Sequence, residues 1–220
     1  MALQLIDVFP VKEGPPTQRD IQLAALQGVI LPPPKMANTA AELVDDIANQ
    51  FVSNGLAWEY EQALNQSQEY KAAKSSMPSL KDVPEIKNYR TKHPHFNESL
   101  VQSELAKYGD FLSIDQILYH GGAWPVSCNG AIVGSKFVSN KVLSTTLCPQ
   151  VGALHGTYHT PKQIWVIRIR SSAVKAFVFN NASNQTLSHE KEVLLAQGIT
   201  FECIDVRTVG IFDILDIVAS

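Results

Sequence analysis

Cysteine is scarce in this chain of 220 residues: it has 3, and Cys128, Cys148 and Cys203 stand far apart. No pair has the C-x-x-C spacing of a zinc knuckle or a thioredoxin-like motif, so no metal framework is expected and the thiols read as buried groups in a reducing compartment. Apolar runs are short as well, and none approaches the ~20 residues that span a bilayer. Charged residues make up 18% with a net charge of −3, which gives no reason to expect general attraction to nucleic acid or to anionic membranes. A G-x-x-x-x-G-K-S/T phosphate loop and a G-x-S-x-G nucleophile elbow are both missing, so nucleotide triphosphatase and serine hydrolase readings lack their usual support. The opening Met1-Ala2-Leu3-Gln4-Leu5-Ile6-Asp7 carries no positive start and is interrupted by Asp7 and Pro10. It is unlike a secretory signal, which leaves the cytosol of the producing cell as the expected compartment.

What is present is a hydrophobic content of 45%, enough for a substantial core. Pro32-Pro33-Pro34 ends a proline-interrupted stretch, read as a flexible leader over 1–37 ahead of a domain over 38–220. Thr39 and Glu42 have capping-box spacing, and Leu43, Ile47 and Phe51 recur every four residues, which predicts a helix with one buried face. Pro78, Pro84 and Pro94 punctuate the next stretch, read as loop with short helical pieces. A second helix is expected after Asn97, with Val101, Leu105 and Tyr108 on one side. From about Ser113 onward β-branched and aromatic residues gather in short runs, predicting strands at Ile114–His120, Gln163–Arg170, Val174–Phe179, Glu190–Leu195, Thr200–Arg207 and near Gly210–Val218. Helices first and strands after them favour an α+β domain over a parallel α/β sheet.

The most informative segment is Leu187-Ser188-His189-Glu190-Lys191-Glu192-Val193-Leu194-Leu195. On a strand, residues two apart face the same way, so Glu190 and Glu192 would project into a common site. Paired carboxylates suit a reaction with an oxocarbenium-like transition state, in which one steadies the cationic sugar and the other handles a proton. Taken alone, Glu-Lys-Glu is common and reads as a solvated strand edge. Its company changes the odds: Leu118-Tyr119-His120-Gly121-Gly122 lies upstream, then Ser144-Thr145-Thr146, and Gln197-Gly198-Ile199-Thr200-Phe201 follows the acids.

Together these segments resemble the mono-ADP-ribosyltransferase family, whose ordered motifs are an aromatic-Arg-Gly strand end, a Ser-Thr-Ser strand and a Glu-x-Glu or Gln-x-Glu turn. The resemblance runs from roughly Ile114 to Val206. It implies a split β-sandwich of two small, mainly antiparallel sheets supported by N-terminal helices, with NAD as substrate in the cleft and no metal. Carried over, Glu192 is the catalytic glutamate, Glu190 engages the acceptor, and Ser144 positions Glu192, with Thr145 and Thr146 completing the NAD pocket. Glu at position 190 implies arginine as the modified side chain, and a guanidinium with a pKa above ~12 does need a carboxylate to orient and deprotonate it.

His120 departs from the Arg-Ser-Glu pattern, which has arginine there. His120-Gly121 looks instead like the diphtheria-toxin and poly-ADP-ribose polymerase branch, in which the histidine contacts the adenosine ribose and the glycine backbone holds the nicotinamide amide. Phosphate contacts then fall to Arg168, Arg170, Lys136 or Arg90. The stretch Asn180–His189 corresponds to the loop that recognises the acceptor. His155 and His159 are four apart, but Gly156 and Pro161 discourage a helix there, so these residues read as a loop over the nicotinamide and phosphates. The resemblance implies a toxin, effector or phage protein acting on a target protein in another cell, reached by a route without a signal peptide, with the leader suited to a delivery chaperone. Two alternatives keep the fold: an NAD glycohydrolase, and a binding protein that has lost turnover.

Overall fold

The computed structural model describes residues 2–53, 55–125, 132–180 and 190–220. The fold is α+β, with helices concentrated in the first half and strands in the second. Two short strands, β1 (Val11–Lys12) and β2 (Met36–Ala37), pair with each other and flank α1 (Gln18–Gln27). Thr17 opens α1 with a reciprocal capping box: its hydroxyl accepts from Asp20 N at 3.2 Å while the Asp20 carboxylate accepts from Thr17 N at 2.9 Å. Leu3, also in the segment read as a leader, is buried, and its N–H donates to Phe111 O at 2.8 Å.

The capped helix expected after Thr39 is α2 (Ala40–Asn49), whose Leu43, Val44 and Ile47 are fully buried. Each such side chain contributes about 1.5–3 kcal/mol relative to exposure. Two further helices, α3 (Ala57–Gln66) and α4 (Gln68–Ser76), lie ahead of the proline-punctuated stretch, and within that stretch is the short helix α5 (Pro84–Lys92). Pro84 stands in the first turn of α5, where its missing N–H costs nothing. Val83 supplies no side-chain cap. Glu104 on the following helix, α6 (Glu98–Tyr108), does so instead, accepting from Glu85 N at 2.9 Å and Ile86 N at 2.8 Å. Glu98 Oε1 in turn accepts from Val142 N at 2.6 Å, which ties the start of α6 to the sheet. Among the described residues no helix is long and apolar enough to cross a membrane.

Among the described residues nine strands follow in one hydrogen-bonded sheet: β3 (Asp110–Phe111), β4 (Ile117–Gly121), β5 (Lys136–Val138), β6 (Leu143–Thr146), β7 (Gln163–Ile169), β8 (Lys175–Val178), β9 (Glu192–Leu195), β10 (Thr200–Val209) and β11 (Phe212–Ala219). Their spatial order is β3-β8-β9-β6-β4-β7-β11-β10-β5. The described pairings are antiparallel except β7 with β11. Two smaller antiparallel groups were expected, and the sheet does narrow between β4 and β6, where Tyr119 opposite Thr146 is the registered pair. A cavity forms at this waist.

A helix crosses the waist where loop was expected. α7 (Pro149–Gly156) packs on β4 and β7, and glycine allows the approach. A Cβ on Gly121 would stand 2.1 Å from Gly152 O and 2.2 Å from Gly156 N, so only hydrogen fits. The preference of glycine for other conformations is overridden here by close packing of a helix against a strand.

Candidate active site

Five elements deliver side chains to a cavity of about 560 Å³ at the waist. β4 brings His120 and Gly121, β6 brings Ser144, Thr145 and Thr146, and Glu192 opens β9 with Glu190 just before it. Of the helices, α5 contributes Tyr89 and Arg90, and α7 contributes Val151, Gly152 and His155. His93 and His159, each just past a helix end, also line it. The site residues proposed from the sequence therefore converge, although they are spread over many tens of positions.

Glu192 is buried at 7% exposure. Ser144 Oγ donates to its Oε1 at 2.7 Å. Burial pushes the Glu192 carboxyl up to about 7, and the neighbouring Glu190 adds to this, while the Ser144 hydrogen bond and Arg90 act against it. The result is an acid poised to change charge near neutrality, a mark of functional carboxylates. Tyr89 lines the same cavity, and burial raises the pKa of its hydroxyl, with the Glu192 charge adding to this.

The two threonines hold the backbone of the acid turn. Thr145 Oγ1 donates to Val193 O at 2.6 Å, and Thr146 Oγ1 donates to Glu190 O at 2.5 Å while accepting from Cys148 N at 2.9 Å. Their hydroxyls are thus occupied by protein partners.

The acids do not converge by strand alternation, as the sequence had implied. β9 begins only at Glu192, and Lys191 takes a left-handed φ of 46°. A residue with a Cβ is strained there. The Lys191 side chain, 7% exposed, is anchored by Glu61 Oε1 at 3.2 Å on the far side. What gathers the carboxylates is Arg90: its Nη2 donates to Glu190 Oε2 at 3.0 Å, and its Nε lies 3.1 Å from Glu192 Oε2 as an ion pair.

Arg90 was one of four basic residues offered for phosphate contact, and the other three lie elsewhere. Arg168 and Arg170 pair with Asp115 at 3.6 and 2.6 Å, and Lys136 pairs with Glu202 at 2.9 Å. No spacing in the sequence points to the bond between Arg90 and Glu190, because 100 positions separate them.

His120 lies against Trp165, with ring centroids 4.8 Å apart, and its Nδ1 is 2.7 Å from Ser144 O. A carbonyl only accepts, so Nδ1 carries the proton and Nε2 is left as an acceptor. Burial lowers the His120 pKa to about 4, against the Ser144 carbonyl, and His159 and His155 push the same way. The imidazole is therefore neutral at pH 7, able to accept from a sugar hydroxyl and unable to serve as a cationic clamp.

His155 belongs to the last turn of α7 rather than to a loop, while His159 follows the helix. Among the described residues no group of three or more His, Cys, Asp or Glu is placed to hold a metal ion. Cys148 and Cys203 are buried free thiols, and Cys128 lies outside the described residues. So do 181–189, nearly all of the stretch assigned to acceptor recognition.

No protein-family model and no curated protein sequence matches this chain. Solved structures do. Among them are ADP-ribosyltransferase toxins. Vis toxin, an ADP-ribosyltransferase from Vibrio splendidus, is 18% identical, with 84% of this chain and 88% of that one covered at a TM-score of 0.41. C3larvin toxin, an ADP-ribosyltransferase from Paenibacillus larvae, is 13% identical, with 73% and 98% covered at 0.45. C3stau2 from S. aureus, solved with NAD, is 15% identical, with 74% and 94% covered at 0.47. At these scores the likeness concerns the course of the chain, and the chemistry must be read from the cleft itself.

Proposed function

We propose that this protein breaks the nicotinamide–ribose bond of NAD and transfers the ADP-ribose to a side chain of a target protein, arginine being the acceptor class. The observation that carries this reading is Glu192, a buried carboxylate held by Ser144 and Arg90 beside a second carboxylate in one cavity. In the step, the C–N bond between ribose and nicotinamide breaks and its electron pair leaves with nicotinamide. The ribose becomes oxocarbenium-like, and ionised Glu192 stabilises that charge in a site where burial strengthens electrostatics. Neutral His120 accepts from a sugar hydroxyl through Nε2. The acceptor nitrogen then bonds to the anomeric carbon, and its proton passes to Glu190.

A second reading, hydrolysis of NAD with water as acceptor, is favoured by one specific feature: Glu190 already holds a guanidinium, that of Arg90. Water needs no such carboxylate to orient it.

The test is to follow nicotinamide release and labelled ADP-ribose incorporation together, with target-cell lysate present, for wild type, Glu192→Gln and Glu190→Gln. Glu192→Gln is expected to lose both readouts, and Glu190→Gln to lose incorporation while retaining release. Absence of nicotinamide release by the wild type would overturn the proposal.

A further inference from the structure

We propose that Arg90 is a built-in stand-in for the acceptor guanidinium, and that it governs which acceptors reach Glu190 by having to leave that carboxylate first. This inference rests on the transferase reading above. Arg90 meets one carboxylate through Nη2 at 3.0 Å and another through Nε at 3.1 Å. Its guanidinium carbon lies 4.8 Å from the centre of the Phe179 ring. Two carboxylates and an aromatic face are the chemical components of a guanidinium-recognition pocket.

Burial sharpens the comparison. The Arg90 side chain is 4% exposed and that of Glu190 25%, so the carboxylate can be approached from the cavity while its present partner is sequestered. Arginines elsewhere serve differently: Arg168 and Arg170 meet Asp115, and Arg207 bridges Asp45 and Asp216, all outside the cavity lining. An arginine from a target would bring the same group to the same oxygen atoms. Its apparent affinity is lowered by the fraction of molecules in which Arg90 occupies Glu190. Arg90 is on this account a specificity-determining residue: it disfavours free guanidinium compounds and leaves arginine transfer to targets whose own contacts displace it.

The experiment compares wild type, Arg90→Lys and Arg90→Ala with NAD and rising agmatine, following nicotinamide release and ADP-ribosylated agmatine separately. The half-saturating agmatine concentration is expected to fall at least ten-fold in Arg90→Ala, and less in Arg90→Lys, because an ammonium cannot present a planar fork to two carboxylates. The ratio of transfer to hydrolysis rises in both even where total turnover falls. A half-saturating concentration unchanged in both variants overturns the proposal.

A measurement without turnover runs beside it. Methylguanidine should raise the melting temperature of Arg90→Ala by refilling the vacated position, and should leave wild type and Arg90→Ala/Glu190→Gln unchanged. A folded Arg90→Ala that shows no such rise also overturns it, and if that variant fails to fold, Arg90→Lys carries the kinetic test. If the wild type releases no nicotinamide, the transferase reading fails by itself, and the methylguanidine shift still decides whether the Arg90 position is a guanidinium site.

Discussion

Ser144 and Glu192 are not cross-strand partners, yet their side chains meet at 2.7 Å. In the β6–β9 ladder Ser144 stands opposite Leu194, and Thr146 stands opposite Glu192. The contact is therefore diagonal, two residues along the ladder, and joins neighbouring side chains on one face of the sheet. With Thr146 already bonded to Glu190 O, Ser144 is the hydroxyl left to serve the buried carboxylate.

Activity should follow the ionisation of Glu192. Since burial raises that carboxyl to about 7, kcat/KM for nicotinamide release is expected to rise through this pH and level off above it. A value at pH 5.5 roughly 30-fold below the plateau follows from one and a half pH units. A flat profile from pH 5 to 8 would contradict the role.

Removing the serine hydroxyl takes away the largest influence that lowers the Glu192 pKa. Ser144→Ala should therefore displace the rise of the kcat/KM profile upward by about one unit, costing about five-fold at pH 7 and almost nothing at pH 9. Threonine at this position, which keeps the donor, should restore the profile. A uniform loss at every pH would argue for a merely structural contact.

The same carboxyl affects stability with the opposite sense from an ordinary ion-paired acid. Its folded pKa lies above the unfolded value, so between about pH 4.5 and 7 the folded state binds more protons and stability falls as pH rises. Glu192→Gln is expected to stabilise the protein at pH 8 by roughly 1–3 kcal/mol while abolishing turnover. Denaturant titrations at pH 5 and 8 check it: the gain should be confined to the higher pH.

His120 works in the reverse direction. Its pKa is depressed to about 4, so stability is complete above the unfolded value of about 6.5 and is lost as pH falls towards 4. In His120→Gln that acid-induced loss should shrink, and comparing melting temperatures at pH 4.5 and 7 would reveal it.

Gly121→Ala should be among the most damaging small substitutions. The added methyl would meet backbone atoms of Gly152 and Gly156 rather than a movable side chain. A loss of about 3 kcal/mol or more is expected, read as a shift in denaturant midpoint.

Much of this was legible before any coordinates. The α+β order, the α2 stripe of Leu43 and Ile47, and the strand runs expected at 163–170 and 200–207, found at 163–169 and 200–209, follow from periodicity and turn residues. These are local signals, set by how a helix or strand buries one face. The α7 helix was not legible, because Gly152 and Gly156 lower helix propensity, and their value appears only once β4 and β7 lie beneath them.

The chain by itself singled out Glu190 and Glu192 as paired carboxylates, and its resemblance to the mono-ADP-ribosyltransferases pointed to Ser144 and His120; all four line one cavity. Their electrical state was decided only by tertiary structure. Desolvation, the Nδ1 contact of His120 with Ser144 O and the Arg90 guanidinium between two acids depend on burial and on approach across 24 and 100 positions. The first contact depends on β4 pairing with β6, and the second on how α5 docks at the waist of the sheet. A linear pattern specifies neighbours along a strand or helix, whereas charge is set by everything that surrounds a group in space.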